Sequence, residues 1–316
     1  MSYRLVMRRY SGDVTGEPLH PGGQGDTYKV TLGQNKLVLK VYKGQREGQL
    51  RLRDLSDTLD MMTDMPAPLA RGRMIDCGSA YSGIYGWPAA LFNFVEGKVL
   101  CDPIGHSECA LRSGVVPNPA RLKLATELLE SVHYLHSKGI IHADLAPSNV
   151  LVNDSVPELT IIDIDGAGVL ATGGSLWKRP PLVLGHGGLP DFPAPSEYWD
   201  GGVTKETDYW WSQMLTYFIL TSTPPFFFLT LLSPRELHEV GELLSTAKRC
   251  WPPEYDQIKR HSKFNHNIAE NDYREFAESI QHLVPTGSFF NTFGFGYSRP
   301  KFRVSPGYLL RQMVGG

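Results

Sequence analysis

The sequence predicts an α+β fold in two lobes, a small β-rich front carrying one helix and a larger α-helical back. Three observations predict it. Short apolar runs broken by glycine and asparagine fill the first 92 residues. Beyond Pro119 apolar residues recur at three- and four-residue intervals instead. Two acidic segments, His142-Ala143-Asp144-Leu145-Ala146-Pro147-Ser148-Asn149 and Asp163-Ile164-Asp165-Gly166, interrupt that helical texture. The expected boundaries are a front lobe at 1–92, a joint at 93–97, a back lobe at 98–290 and a tail at 291–316.

In chain order, residues 26–30 and 36–42 read as paired strands about the turn Gly33-Gln34-Asn35. Gly22-Gly23-Gln24-Gly25 precedes them. Without side chains that backbone can close over phosphate oxygens, although glycine clusters also mark ordinary turns. Lys40 lies inside the apolar run Leu37-Val38-Leu39-Lys40-Val41. A helix is expected over 47–61, offering Glu47 or Asp54 as a carboxylate partner for Lys40. Residues 91–97 read as a short strand ending at Gly97.

In the back lobe, Leu122, Ala125, Leu128, Leu129, Val132 and Leu135 give one apolar face to a helix over 120–136, and Lys138-Gly139 stops it. His133 and His136 are expected on the polar side or end of that helix. Residues 166–192 are rich in glycine and proline. Helices return from Thr207, over 235–248 and over 271–283. The apolar stretch 210–232 is divided by Thr221-Ser222-Thr223-Pro224-Pro225 into pieces too short to cross a bilayer, so it reads as a buried helix and a loop.

Composition limits the function. A chain of 316 residues can form two cores, and 41% hydrophobic with 20% charged residues fits a globular protein. A net charge of −2 offers no overall attraction to nucleic acid or anionic membrane. Cys77, Cys101, Cys109 and Cys250 lack metal-type spacing, and the first residues lack a signal-length apolar run. Both point to the cytoplasm. The acidic segments carry the chemistry: Asp144 can accept a proton from an attacking hydroxyl, while Asn149 and Asp163 supply hard oxygen donors to Mg²⁺ on a nucleotide.

Taken in order, these segments resemble the protein kinase-like superfamily of eukaryotic-type serine/threonine kinases, in an atypical bacterial form. Its glycine-rich loop matches Leu19-His20-Pro21-Gly22-Gly23-Gln24-Gly25-Asp26-Thr27-Tyr28-Lys29-Val30, and its strand lysine matches Lys40. Tyr134-Leu135-His136-Ser137-Lys138-Gly139-Ile140-Ile141-His142 matches the approach to its catalytic loop. Asp163 falls on its metal-binding aspartate, 189–197 on the close of its activation segment, and Asp208-Tyr209-Trp210-Trp211-Ser212 on its central buried helix. The resemblance implies a bilobal kinase fold, ATP with Mg²⁺ (Mn²⁺ as the alternative), and a protein hydroxyl as acceptor. It implies Asp144 and Lys40 as catalytic residues, and Asn149, Asp163 and Asp165 as metal ligands. It further implies nucleotide contacts from Gly22, Gly23, Gly25, Val38, Lys40, Glu47, Asn93, Phe94, Val95 and Leu151.

Four departures qualify it. His20 replaces the first loop glycine, and Ala143 replaces the arginine before the catalytic aspartate. Ala146 and Leu189 replace a lysine–threonine pair that positions a peptide hydroxyl. Asp165 replaces the glycine after the metal aspartate. A small-molecule phosphotransferase and a non-catalytic binding scaffold are therefore the alternatives.

Overall fold

The computed structural model describes residues 1–21, 25–42, 56–57, 60–100, 110, 118–153, 155–164, 168–169, 205–222 and 269–280. Gly22, Gly23, Glu47, Asp54, Asp165 and Leu189 lie outside them, as do the expected helix at 235–248 and the tail.

Alternation builds the front. In β1 (Ser2–Met7), Tyr3, Leu5 and Met7 point inward and their neighbours outward. β1 pairs with β2 (Ser11–Pro21) on one side and β5 (Met74–Ser82) on the other. With β3 (Gly25–Leu32), β4 (Asn35–Tyr42) and β6 (Tyr85–Asn93), this closes a six-stranded antiparallel barrel in the order β1-β2-β3-β4-β6-β5. β3 and β4 are the strands expected from sequence, joined at Gly33 with φ 61°. Closure itself was not anticipated. Val6 breaks the alternation of β1, while Gly12, Gly16, Pro18 and Pro21 give β2 the composition of a turn. Leu5, Val14, Val30, Leu39, Ala80, Ala89 and Leu91 fill the barrel.

The strand expected over 91–97 is the end of β6, and it stops at Asn93. Residues 94–97 have no regular structure. Of the helix expected over 47–61, residues 56–57 and 60–61 are described, and they are helical. A short helix absent from the sequence expectations, α1 (Ala67–Arg71), follows; Arg71 reaches the Leu159 carbonyl at 2.7 Å and Glu158 at 3.2 Å.

The back is built on two long helices. α2 (Asn118–Ser137) ends at Gly139, whose φ of 72° supplies the expected stop. α3 (Lys205–Thr221) is buried along most of its length and ends before Ser222, at the division foreseen in the apolar stretch. Small strands carry the loops between them: β7 (Lys98–Val99), β8 (Ile140–Ile141), β9 (Val150–Val152), β10 (Leu159–Ile161) and β11 (Gly168–Val169). α4 (Glu270–Ile280) buries Tyr273 and Phe276. One core joins α2, α3 and α4 to Tyr42, Met74, Ala90 and Phe92 of the barrel, so the two halves share a hydrophobic seam. Among the described residues no helix is long and apolar enough to cross a membrane.

Candidate active site

β8 delivers the chain from the end of α2 into the acidic loop, and the 3₁₀ turn Pro147–Asn149 returns it into β9. β9 pairs with β10, placing Val150 opposite Ile161. The next residue on each strand continues the contact, because the Ile162 amide donates to the Asn149 carbonyl at 2.9 Å. This antiparallel pair brings the backbone at Asn149 beside Ile162, the residue before Asp163.

Three further bonds tighten the loop. The Asn149 side-chain amide donates to the Asp144 carbonyl at 2.7 Å. The fully buried His142 ring lies between the two acidic segments, with Nε2 3.1 Å from the Ile162 carbonyl and Nδ1 accepting from the Asp144 amide at 3.3 Å. The second contact makes Nδ1 the acceptor and Nε2–H the donor. Lys40, from β4, completes the set through a hydrogen-bonded ion pair with the Asp163 carboxylate. Its side chain is 12% exposed and that of Asp163 33%, so the pair is partly shielded from water.

The loop backbone is strained beside its acidic residues. Ala143 and Asp163 have φ of 68° and 63°, values that non-glycine residues seldom adopt. Asp208, at the first turn of α3, offsets the strain at Ala143. Its fully buried carboxylate accepts from the His142 amide at 2.8 Å and the Ala143 amide at 2.9 Å, and His136 Nε2 lies 2.9 Å away. His136 stands at the end of α2, one of the two places expected for it, but it faces the interior rather than water. It is buried against Asp208 and edge-on to Tyr209, whereas His133 is exposed as expected. The sequence marks Asp208 only as part of a buried helix. The signal that could have singled it out is a carboxylate opening the apolar run from Tyr209 onward, which must find donors once buried.

The remaining site residues distribute unevenly. Val38 on β4 and Leu151 on β9 are half-buried. The Asn93 amide is engaged by the Arg73 carbonyl at 3.0 Å and the Phe94 amide by the Lys36 carbonyl at 3.3 Å, so neither N–H is offered to a ligand. Gly25 has a packing reason of its own, since a Cβ there would stand 2.6 Å from the Val41 carbonyl. No group of three or more His, Cys, Asp or Glu side chains with metal-binding arrangement occurs among the described residues. Asn149 and Asp163 carry hard oxygen atoms of the kind that Mg²⁺ prefers.

Residues 89–286 match a family model described as protein kinase domain. The match opens within β6, so Lys40 and strands β1–β5 precede it. A probable myosin light chain kinase of Dictyostelium discoideum is 31% identical over 150 residues, covering 46% of this chain and 39% of the relative. Serine/threonine-protein kinase pkn2 of Myxococcus xanthus is 28% identical over 215 residues, covering 66% and 24%. Myosin light chain kinase A of Dictyostelium discoideum is 26% identical over 237 residues, covering 74% and 73%. The chain thus spans well under half the length of the first two.

Proposed function

The chain belongs to the protein kinase family, and from that premise we propose that it is an ATP-dependent serine/threonine protein kinase. In this reading it transfers the γ-phosphoryl group to a protein hydroxyl. The observation that carries the reading is the Lys40–Asp163 pair, which joins a barrel strand to the segment beside the Asp144 loop. Residues 1–92 and 98–290 act as the two lobes, with 93–97 as the joint between them.

Each residue has a task set by its chemistry. The Lys40 ammonium holds phosphate oxygens and is itself oriented by Asp163. Asn149 and Asp163 hold the divalent cation, and Mg²⁺ when bound neutralises charge on the phosphates. Mn²⁺ suits the same donors. Val38 and Leu151 give apolar walls to the adenine, and the Val95 amide reads its edge. Asp144 orients the acceptor hydroxyl and takes its proton, while the new oxygen–phosphorus bond forms and the bridging bond to the β-phosphate breaks. Ala143 has no charged side chain, and Asp208 holds its amide. That arrangement supports a loop whose shape does not depend on a phosphorylated activation segment.

Labelled ATP offered with a protein extract tests the proposal. Asp144→Ala is expected to lower transfer by about 10²- to 10⁴-fold with nucleotide affinity nearly intact. Asp163→Ala is expected to lose the Mg²⁺-dependent part of nucleotide binding. Turnover in Asp144→Ala equal to that of the native protein defeats the assignment of the base.

A further inference from the structure

The turn between β1 and β2 is pinned to β5. Arg8 N–H donates to the Cys77 carbonyl at 3.0 Å, and Arg9 N–H to the Asp76 carboxylate at 2.9 Å. From this fixed base the Arg8 guanidinium reaches outward to a different element. Its Nη1 donates to Ser56 Oγ at 2.6 Å and lies 3.6 Å from the Asp60 carboxylate.

The segment it reaches is held from the opposite side as well. The Tyr134 hydroxyl on α2 donates to the Thr63 carbonyl. Between those two anchors, Met62 is buried, and Met61 and Met65 pack on the core that also contains Tyr42 and Phe92. Tyr42 is the end of β4, and the Lys40 ammonium lies 5.9 Å from the centre of its ring. Residues 60–65 thus form a wedge tied to the barrel by Arg8 and to α2 by Tyr134, packed on the core that Tyr42, at the end of the strand carrying Lys40, also joins.

We propose that Arg8 is a positioning residue: from the β1–β2 turn it sets how this wedge seats against β4, and so how Lys40 meets Asp163 and the nucleotide phosphates. The catalytic half of this rests on the kinase reading; the structural half does not. An exposed ion pair and hydrogen bond contribute little to global stability. The effect falls on the placement of the wedge and on nucleotide use, with the melting temperature nearly unchanged.

Hydrogen–deuterium exchange and steady-state kinetics on the full chain separate the two halves. Arg8→Ala is expected to speed amide exchange at residues 57–65 while leaving β2 and β3 as they were. KM for ATP rises about three- to tenfold with kcat within about twofold. Arg8→Lys, which keeps the charge toward Asp60, recovers part of both effects. Unchanged exchange at 57–65 overturns the proposal, and so does loss of protection spread over the whole barrel. Altered exchange with an unaltered KM overturns the link to Lys40. If the native protein transfers no phosphate at all, the kinase reading fails on its own, and exchange at 57–65 still decides whether Arg8 holds the wedge.

Discussion

Asp208 concentrates more constraint than any other single side chain of the site. It is fully buried and satisfied by two loop amides and one imidazole nitrogen. Removing it strands three donors in an apolar interior and frees a loop whose Ala143 is already in a costly conformation. Asp208→Ala is expected to destabilise the protein by several kcal/mol, about 1–3 kcal/mol for each buried donor left without a partner. Asp208→Asn, which keeps the shape and one acceptor, is expected to lose less. Urea midpoints of the two variants check the order, and equal midpoints contradict it. Asp144, Asn149, Asp163 and Lys40 can be singled out in the sequence because their offsets along short loops and one strand are nearly independent of the rest of the fold. His136 was not legible. A histidine in the last turn of a helix has the same local pattern whether it meets water or a carboxylate 72 residues away.

Among the elements, β1 decides the character of the front. It occupies the gap between β2 and β5 and converts an open sheet into a barrel with no free edge. Gly78 makes this crossing feasible. A Cβ there would stand 2.3 Å from the Val6 carbonyl oxygen and 2.6 Å from Met7 Cα, both backbone atoms that cannot move aside cheaply. Gly78→Ala is expected to cost about 1–3 kcal/mol through overpacking, with faster amide exchange concentrated in β1. An unchanged thermal melt would show that the strand can shift to accommodate the methyl group. The barrel strands recognised from sequence, β3 and β4, form one hairpin around a glycine turn and share local pairing. β1, β2 and β5 do not stand out individually in the sequence, because glycines, prolines and polar residues interrupt β2 and β5; β1–β2, β2–β3 and β5–β6 pair across short turns, and only the closing β1–β5 pairing joins segments distant in sequence.

At the scale of the whole molecule, the shared core makes barrel and helices interdependent, and two tyrosines on α3 and α4 give a pH signature. Burial raises the Tyr217 hydroxyl from its ordinary 10.0 to about 12 and shifts Tyr273 upward as well. Between pH about 10 and 12 the unfolded chain ionises these groups while the native state keeps them protonated. The native state then binds more protons, so its stability is intact below pH about 10 and falls as pH rises toward 12. Near-ultraviolet titration alongside a denaturant series at each pH checks this; stability that is flat across the window contradicts it. The sequence by itself determined the two-part α+β organisation and the acidic residues gathered in short loops, because short-range periodicity and fixed loop offsets encode both. Closure of the barrel, the burial of His136 on Asp208 and the reach of Arg8 to Ser56 were decided only by tertiary structure. Each joins residues from separate elements, and no local pattern records which distant group will supply the missing partner.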